Sequence, residues 1–89
     1  MTRTNVPVEM LSCCGADGEL RPLRFRFEAP DHLLHTVNIT EQVDSRKVAY
    51  VGLEAFVYLC RAKMDGAEKL FELKYTVRTH RWVLFREVY

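Results

Sequence analysis

The chain alternates apolar and polar residues most regularly in its second half, on both sides of Asp65-Gly66. Asp-Gly is a preferred two-residue hairpin turn, because its residues adopt the positive φ angles that such a turn needs. The alternation therefore predicts antiparallel strands over 55–64 and 67–77, with Met64 opposite Ala67. A slip of one residue would move every apolar side chain to the other face. The register thus predicts the core of this hairpin: Phe56, Tyr58, Cys60, Phe71, Leu73 and Tyr75.

The end of the chain predicts a further strand, because β-branched and aromatic residues are dense there. A two-residue turn at Thr79-His80 would place Trp82 opposite Val77. Both faces of this strand carry apolar side chains, with Trp82, Leu84 and Val88 on one parity and Val83, Phe85 and Tyr89 on the other. The core of a monomer covers only one of these faces.

The first half of the chain predicts three more strands. Residues 6–28 form two alternating runs around a turn at 14–18, which is typical of a hairpin. Pro22 cannot donate to a strand ladder, so its part of the second run lies at an edge or at a bulge. A third strand over 33–40 has one apolar side, made of Leu33, His35, Val37 and Ile39.

These elements predict a single all-β domain over residues 1–89. About six antiparallel strands with short connections form a meander that curls into a small open barrel. A two-sheet sandwich is the alternative, and it needs more core than a chain of this length comfortably provides. Residues 41–53 fit either a loop or, near 44–51, at most one short helical turn.

Several of these strand and turn segments resemble a family of short, uncharacterised bacterial proteins of about this length. The resemblance lies in residues 18–27, 56–61 and 70–75, followed by Trp82-Val83-Leu84-Phe85. It implies a recurring small fold and carries no activity.

Charge and cysteine content narrow the class of protein. Thirteen Lys and Arg residues face twelve Asp and Glu, a net charge of +1 that gives no global argument for binding nucleic acid. No apolar run has the length of a membrane-spanning helix, and the first residues lack the apolar stretch of a secretion signal. Three cysteines, of which Cys13 and Cys14 are adjacent, do not suit a disulfide framework. The sequence therefore predicts a cytoplasmic protein with no membrane contact.

The sequence predicts neither catalysis nor a cofactor. The three histidines, at 32, 35 and 80, are not spaced as metal ligands, and the adjacent cysteines do not form a Cys-x-x-Cys pair. Cys60 is predicted to face the core, where a thiol has a raised pKa and is inert. Phosphate-binding and nucleophile-elbow motifs are absent from the sequence.

Two kinds of interaction remain as hypotheses. The one we favour is a protein-interaction module that associates through its last strand, as a homodimer or with another protein, with Val83, Phe85 and Tyr89 at the contact. The alternative is a module that binds single-stranded nucleic acid such as RNA, because arginines interleave with aromatic residues at two places in the sequence. Its predicted binding residues are Arg24, Arg26, Arg81 and Trp82.

Overall fold

The computed structural model describes residues 4–64 and 66–88, and these residues form an all-β domain. Among them, no helix is long and apolar enough to cross a membrane. The six strands are β1 (Thr4–Cys14), β2 (Leu20–Glu28), β3 (Leu34–Tyr50), β4 (Leu53–Met64), β5 (Ala67–Thr76) and β6 (Arg81–Glu87).

Each strand pairs antiparallel with the next one along the chain, which confirms the predicted meander. The barrel is closed, where the sequence predicted an open one, because β1 also pairs with β6 from Thr4–Arg86 to Val8–Trp82. Both edges of β6 are therefore hydrogen-bonded to a neighbouring strand.

The β4–β5 hairpin has the predicted register. Met64 lies opposite Ala67, Cys60 opposite Phe71 and, further along, Phe56 opposite Tyr75. Asp65 of the predicted turn lies outside the described residues, and Gly66 has a φ of 78°.

The turn between β5 and β6 is longer than predicted. Trp82 lies opposite Tyr75 instead of Val77, which leaves residues 77–80 to form the turn. His80 takes a positive φ of 58° within it. Because the shift is two residues, the inward parity of β6 is unchanged, and Trp82 and Leu84 still face the core.

Residues 41–53 are neither loop nor helical turn. Most of them belong to β3, a strand of 17 residues whose second half pairs with β4 as far as Tyr50–Leu53. The connection is a two-residue turn of Val51 and Gly52, with φ angles of 47° and 76°. A β-branched residue is rarely found at positive φ, so the sequence does not present this turn in a recognisable form.

The core fills the interior of the barrel between all six strands. Cys60, Phe71, Leu73 and Leu84 are fully buried, and the Phe25 ring meets the Phe71 ring edge-on at 5.5 Å. Tyr58 is also buried, as predicted, whereas Phe56 and Tyr75 are only partly covered at one end of the barrel.

The barrel wall is split at that end. β2 pairs with β3 only where Arg24–Glu28 faces Leu34–Asn38, and from Ile39 onward β3 pairs with β4 alone. The start of β2 pairs only with β1, and Pro22 lies in this part of the strand, beside a register shift. The predicted edge or bulge at Pro22 is thus confirmed.

The strained turn at Val51 gives a test of the fold. Val51 is fully exposed and makes no packing contribution that a polar residue would lose. Because Asn tolerates positive φ far better than a β-branched residue, Val51→Asn should raise the free energy of unfolding by about 1 kcal/mol. Urea unfolding followed by Trp82 fluorescence measures this. Val43→Asn, at an exposed strand position, is the control and should give no gain; equal or lower stability of Val51→Asn would contradict the turn geometry.

Candidate functional site

The second half of β3 presents an unpaired strand edge. Residues 41–50 pair with β4 on one side, and no described strand lies on the other. We call these residues the β3 edge. Unpaired N–H and C=O groups at such an edge are the usual template for adding a strand from another chain.

The β3 edge is unsuited to indiscriminate pairing. Register shifts at Thr40 and Val43 interrupt its ladder with β4, and bulges of this kind protect edges. The backbone N–H of Ser45 donates to the Asp44 carboxylate at 2.8 Å, which covers one edge donor. Charged side chains occupy four of the seven positions from Glu41 to Lys47, so a partner strand has to match them.

Glu72 fixes the arginine of this edge. Its carboxylate is buried on the outer face of the barrel and accepts hydrogen bonds from Arg46 at 2.7 Å and from Arg86 at 2.5 Å. Burial pulls the pKa of Glu72 up, but the two guanidinium groups outweigh that effect and leave the pKa below its usual value. Arg46, half exposed, is thereby held in place beside the β3 edge.

The last strand offers less apolar surface than its sequence suggests. Val83 and Phe85 point away from the core but are only partly exposed, and the Lys74 ammonium lies 5.3 Å from the centre of the Phe85 ring. Tyr89 lies outside the described residues.

The predicted nucleic-acid-binding residues do not form one surface. Arg24 and Arg26 lie on the outer face of β2, lining a groove of about 520 Å³, and Arg26 is hydrogen-bonded to Glu9. Arg81 lies on β6, so β1 separates it from them. Trp82, whose ring would have to be exposed to stack on a base, is only 8 % exposed. Trp82 is buried because its indole packs between the rings of Tyr58 and Tyr75, with ring centres 5.5 and 5.0 Å away.

A pocket lies at the split end of the barrel. Residues from the turn between β1 and β2 line it together with the partly covered rings, and its volume is about 490 Å³. Its apolar lining is made of Leu20, Phe56, Tyr58, Tyr75 and Val77, and its polar lining of Cys14, Asp17, Gly18 and Glu19.

The titratable side chains with catalytic potential are dispersed. Burial raises the pKa of the Cys60 thiol to about 12, while Cys13 and Cys14 are exposed. His35 stacks on Phe27 with 5.6 Å between ring centres, and the Tyr75 hydroxyl bonds His80 Nδ1 at 2.8 Å. Among the residues that the structure describes, no three His, Cys, Asp or Glu side chains are grouped as metal ligands would be.

Sequence reasoning did not find the β3 edge or the pocket. The high content of charged residues over 41–47 was a signal for a solvent-exposed segment. Because the turn at Val51 was not recognised, this segment could not be assigned to a strand. The pocket is lined by the β1–β2 turn and by the β4–β5 hairpin, and a contact between segments so far apart in the sequence leaves no local sequence pattern.

Comparison with known proteins gives no relative. No protein-family model, no curated protein and no solved structure matches the chain. The resemblance to short bacterial proteins therefore stays a prediction.

The Glu72 contacts predict a pH dependence of stability. A folded-state pKa below the unfolded value of about 4.5 stabilises the fold above that pH, and the stabilisation is lost as pH falls through the lower folded pKa. Glu72→Gln should cost about 1.5–3 kcal/mol at neutral pH, because two charge-assisted hydrogen bonds are weakened. It should also reduce the stability that is lost between about pH 5 and pH 3.

Urea midpoints measured across that pH range test both statements. Glu68→Gln is the control, because Glu68 is an exposed carboxylate of the same strand, 67 % exposed, and should leave the pH dependence close to that of the wild type. A Glu72→Gln protein whose stability falls with acid as steeply as the wild type would contradict the assignment.

Proposed function

We propose that this chain is a non-enzymatic protein-interaction module, that the β3 edge is its recognition element, and that its partner is a second copy of the chain. The observation that carries the proposal is a ten-residue stretch of β3 with no described neighbour on one side. Strand addition at such an edge gains backbone hydrogen bonds, and side-chain matching makes it selective.

The charge order along the edge favours a second copy over an arbitrary strand. When Asp44-Ser45-Arg46 is read antiparallel about a two-fold axis through Ser45, each Asp44 lies opposite Arg46 of the other copy. Opposite charges directly across a strand pair stabilise it, and like charges destabilise it. The segment is thus complementary to itself in this register.

The backbone supports the same register. The Ser45 N–H donates to the Asp44 carboxylate. Hydrogen-bonded and non-hydrogen-bonded pairs alternate along the β3–β4 ladder from the turn after Tyr50, and this alternation makes Ser45–Tyr58 a non-hydrogen-bonded pair. The Ser45 N–H is therefore directed to the open side of β3. On association the two Ser45 residues exchange N–H···O=C bonds, and each Asp44 carboxylate transfers to the guanidinium opposite. Arg46 keeps its bond to Glu72, because a guanidinium has five N–H donors and serves both carboxylates.

The last strand is a weaker candidate for the contact. Its edges are already paired with β1 and β5, so a strand cannot be added there. An interface through Val83, Phe85 and Tyr89 would have to use the outer face of β6, where the first two side chains are partly covered.

Binding of single-stranded nucleic acid is the alternative from a different class. It is disfavoured because Trp82 is buried and because Glu9 is bonded to Arg26. Such sites combine a cationic groove with exposed rings on which bases stack.

Sedimentation equilibrium tests the proposed dimer. We expect the wild type to show a monomer–dimer equilibrium in the micromolar range. Asp44→Arg should shift it to monomer by placing two arginines opposite each other at both ends of the paired segment. Glu28→Arg, the same charge reversal on an exposed strand position, is the matched control and should leave the dimer intact.

Two outcomes would overturn this interface. A monomer mass that persists to high micromolar concentration excludes the dimer altogether. A dimer that tolerates Asp44→Arg but dissociates on Phe85→Ala would move the contact to the outer face of β6.

Fluorescence anisotropy with a labelled single-stranded oligonucleotide tests the alternative. Our proposal expects no rise in anisotropy at low salt and high protein concentration. If the chain does bind a polyanion, anisotropy rises at low salt and falls steeply with added salt as counterions are released. Arg24→Glu would then weaken binding, and this result would replace the present proposal.

A further inference from the structure

The pocket at the split end of the barrel has the form of a small-molecule site. Its volume of about 490 Å³ lies within the range usual for ligand pockets, which often form at the mouths of β-barrels. Three rings line it, and Phe56 and Tyr75 are incompletely covered by the protein's own side chains. The Phe56 and Tyr58 ring centres are 6.5 Å apart, so these two rings are neighbours in the aromatic wall of the pocket.

The charge at the mouth of this pocket is negative. Asp17 and Glu19 both line it, and no lysine or arginine does. Asp17 is matched by Arg21 at 3.4 Å and also accepts the Glu19 backbone N–H. Lys47, opposite Phe56 in the β3–β4 pairing, is matched by Glu54 at 3.1 Å. Within the described part of the chain, the Glu19 carboxylate has no cation of its own.

From this combination we propose that the pocket binds a small organic ammonium ion, with the cation against the partly covered rings of Phe56 and Tyr75 and the Glu19 carboxylate as its counter-charge. Aromatic faces attract cations through their quadrupole, and the attraction is strongest where water is excluded. A carboxylate beside such a wall adds Coulomb attraction that a neutral ligand of equal shape does not receive.

At neutral pH the Tyr58 ring of this pocket carries no negative charge of its own. Burial, and after it the negative charge of Glu19, raise the pKa of Tyr58, so its ring stays uncharged. The split between β2 and the second half of β3 opens the barrel wall beside the rings and gives a ligand a path to them. The proposal does not depend on association through the β3 edge.

A comparison of choline with its neutral isostere 3,3-dimethylbutan-1-ol tests the proposal. Both are titrated into ¹⁵N-labelled protein, and amide shifts are followed at Glu19, Leu20 and Tyr58. We expect choline to bind about tenfold more tightly than the alcohol, the size expected for a desolvated cation–π site with a carboxylate. Glu19→Gln should remove most of that preference, while Glu68→Gln, a remote exposed carboxylate, should preserve it.

The proposal fails if both compounds shift the pocket amides equally, since the site would then recognise shape and not charge. It also fails if neither compound shifts them at millimolar concentration while the spectrum stays that of the folded protein. Loss of choline binding in Glu68→Gln to the same extent as in Glu19→Gln would show a general charge effect, and that too would overturn it.

Discussion

A change of pairing partner along β3 is the constraint on which the rest of this structure depends. The first part of the strand hydrogen-bonds to β2, and the second part to β4 only. The barrel is therefore closed around Phe25, Phe71 and Leu84 but cannot close over Phe56 and Tyr75. The unpaired β3 edge and the open pocket both result from this change of partner: the edge lies in the barrel wall, and the pocket lies in the barrel interior beside it.

Side-chain chemistry on both sides of the split keeps it open. On β2, Pro22 and the register shift next to it interrupt the regular ladder that a neighbour would need. On β3, the bulges and the charged residues favour exposure to solvent over pairing with a strand of unmatched sequence. Glu72 then stabilises this arrangement from the outer face by holding one arginine of β3 and one of β6.

The parts of the fold that could be predicted were those in which local pattern and turn chemistry agree. The β4–β5 hairpin has both an alternating pattern and a preferred turn, and its register was correct at every described position from Phe56 to Met64. The second half of β3 lacks both signals. From Glu41 to Lys47 both parities are polar apart from Val43, and the turn that follows the strand uses a β-branched residue at positive φ. Only the pairing with β4 makes it a strand.

The same distinction applies to the candidate sites. Parity correctly placed Cys60 inside, and correctly gave Trp82 and Leu84 the same face of β6. Strand order and barrel closure decide whether an inward ring stays exposed at the end of the barrel. They also decide whether two arginines lie on adjacent strands. Both are non-local properties, which the alternation of apolar and polar residues does not reveal. For this reason the sequence suggested a single binding surface for Arg24, Arg26 and Arg81, whereas β1 lies between the strands that carry them.

The pairing that closes the barrel has a consequence for its motions. Five of the six strand pairings join neighbours in sequence, whereas the β1–β6 seam joins the two ends of the chain and holds only four residue pairs. One of these is Pro7, which has no N–H to contribute. Closing the barrel here brings together strands that are far apart in the sequence, so it costs more loop-closure entropy than any other strand pairing, and it pairs the fewest residues. It is therefore the place where the folded barrel opens first, and amide hydrogens there should exchange with solvent through local opening well before those of the β4–β5 hairpin.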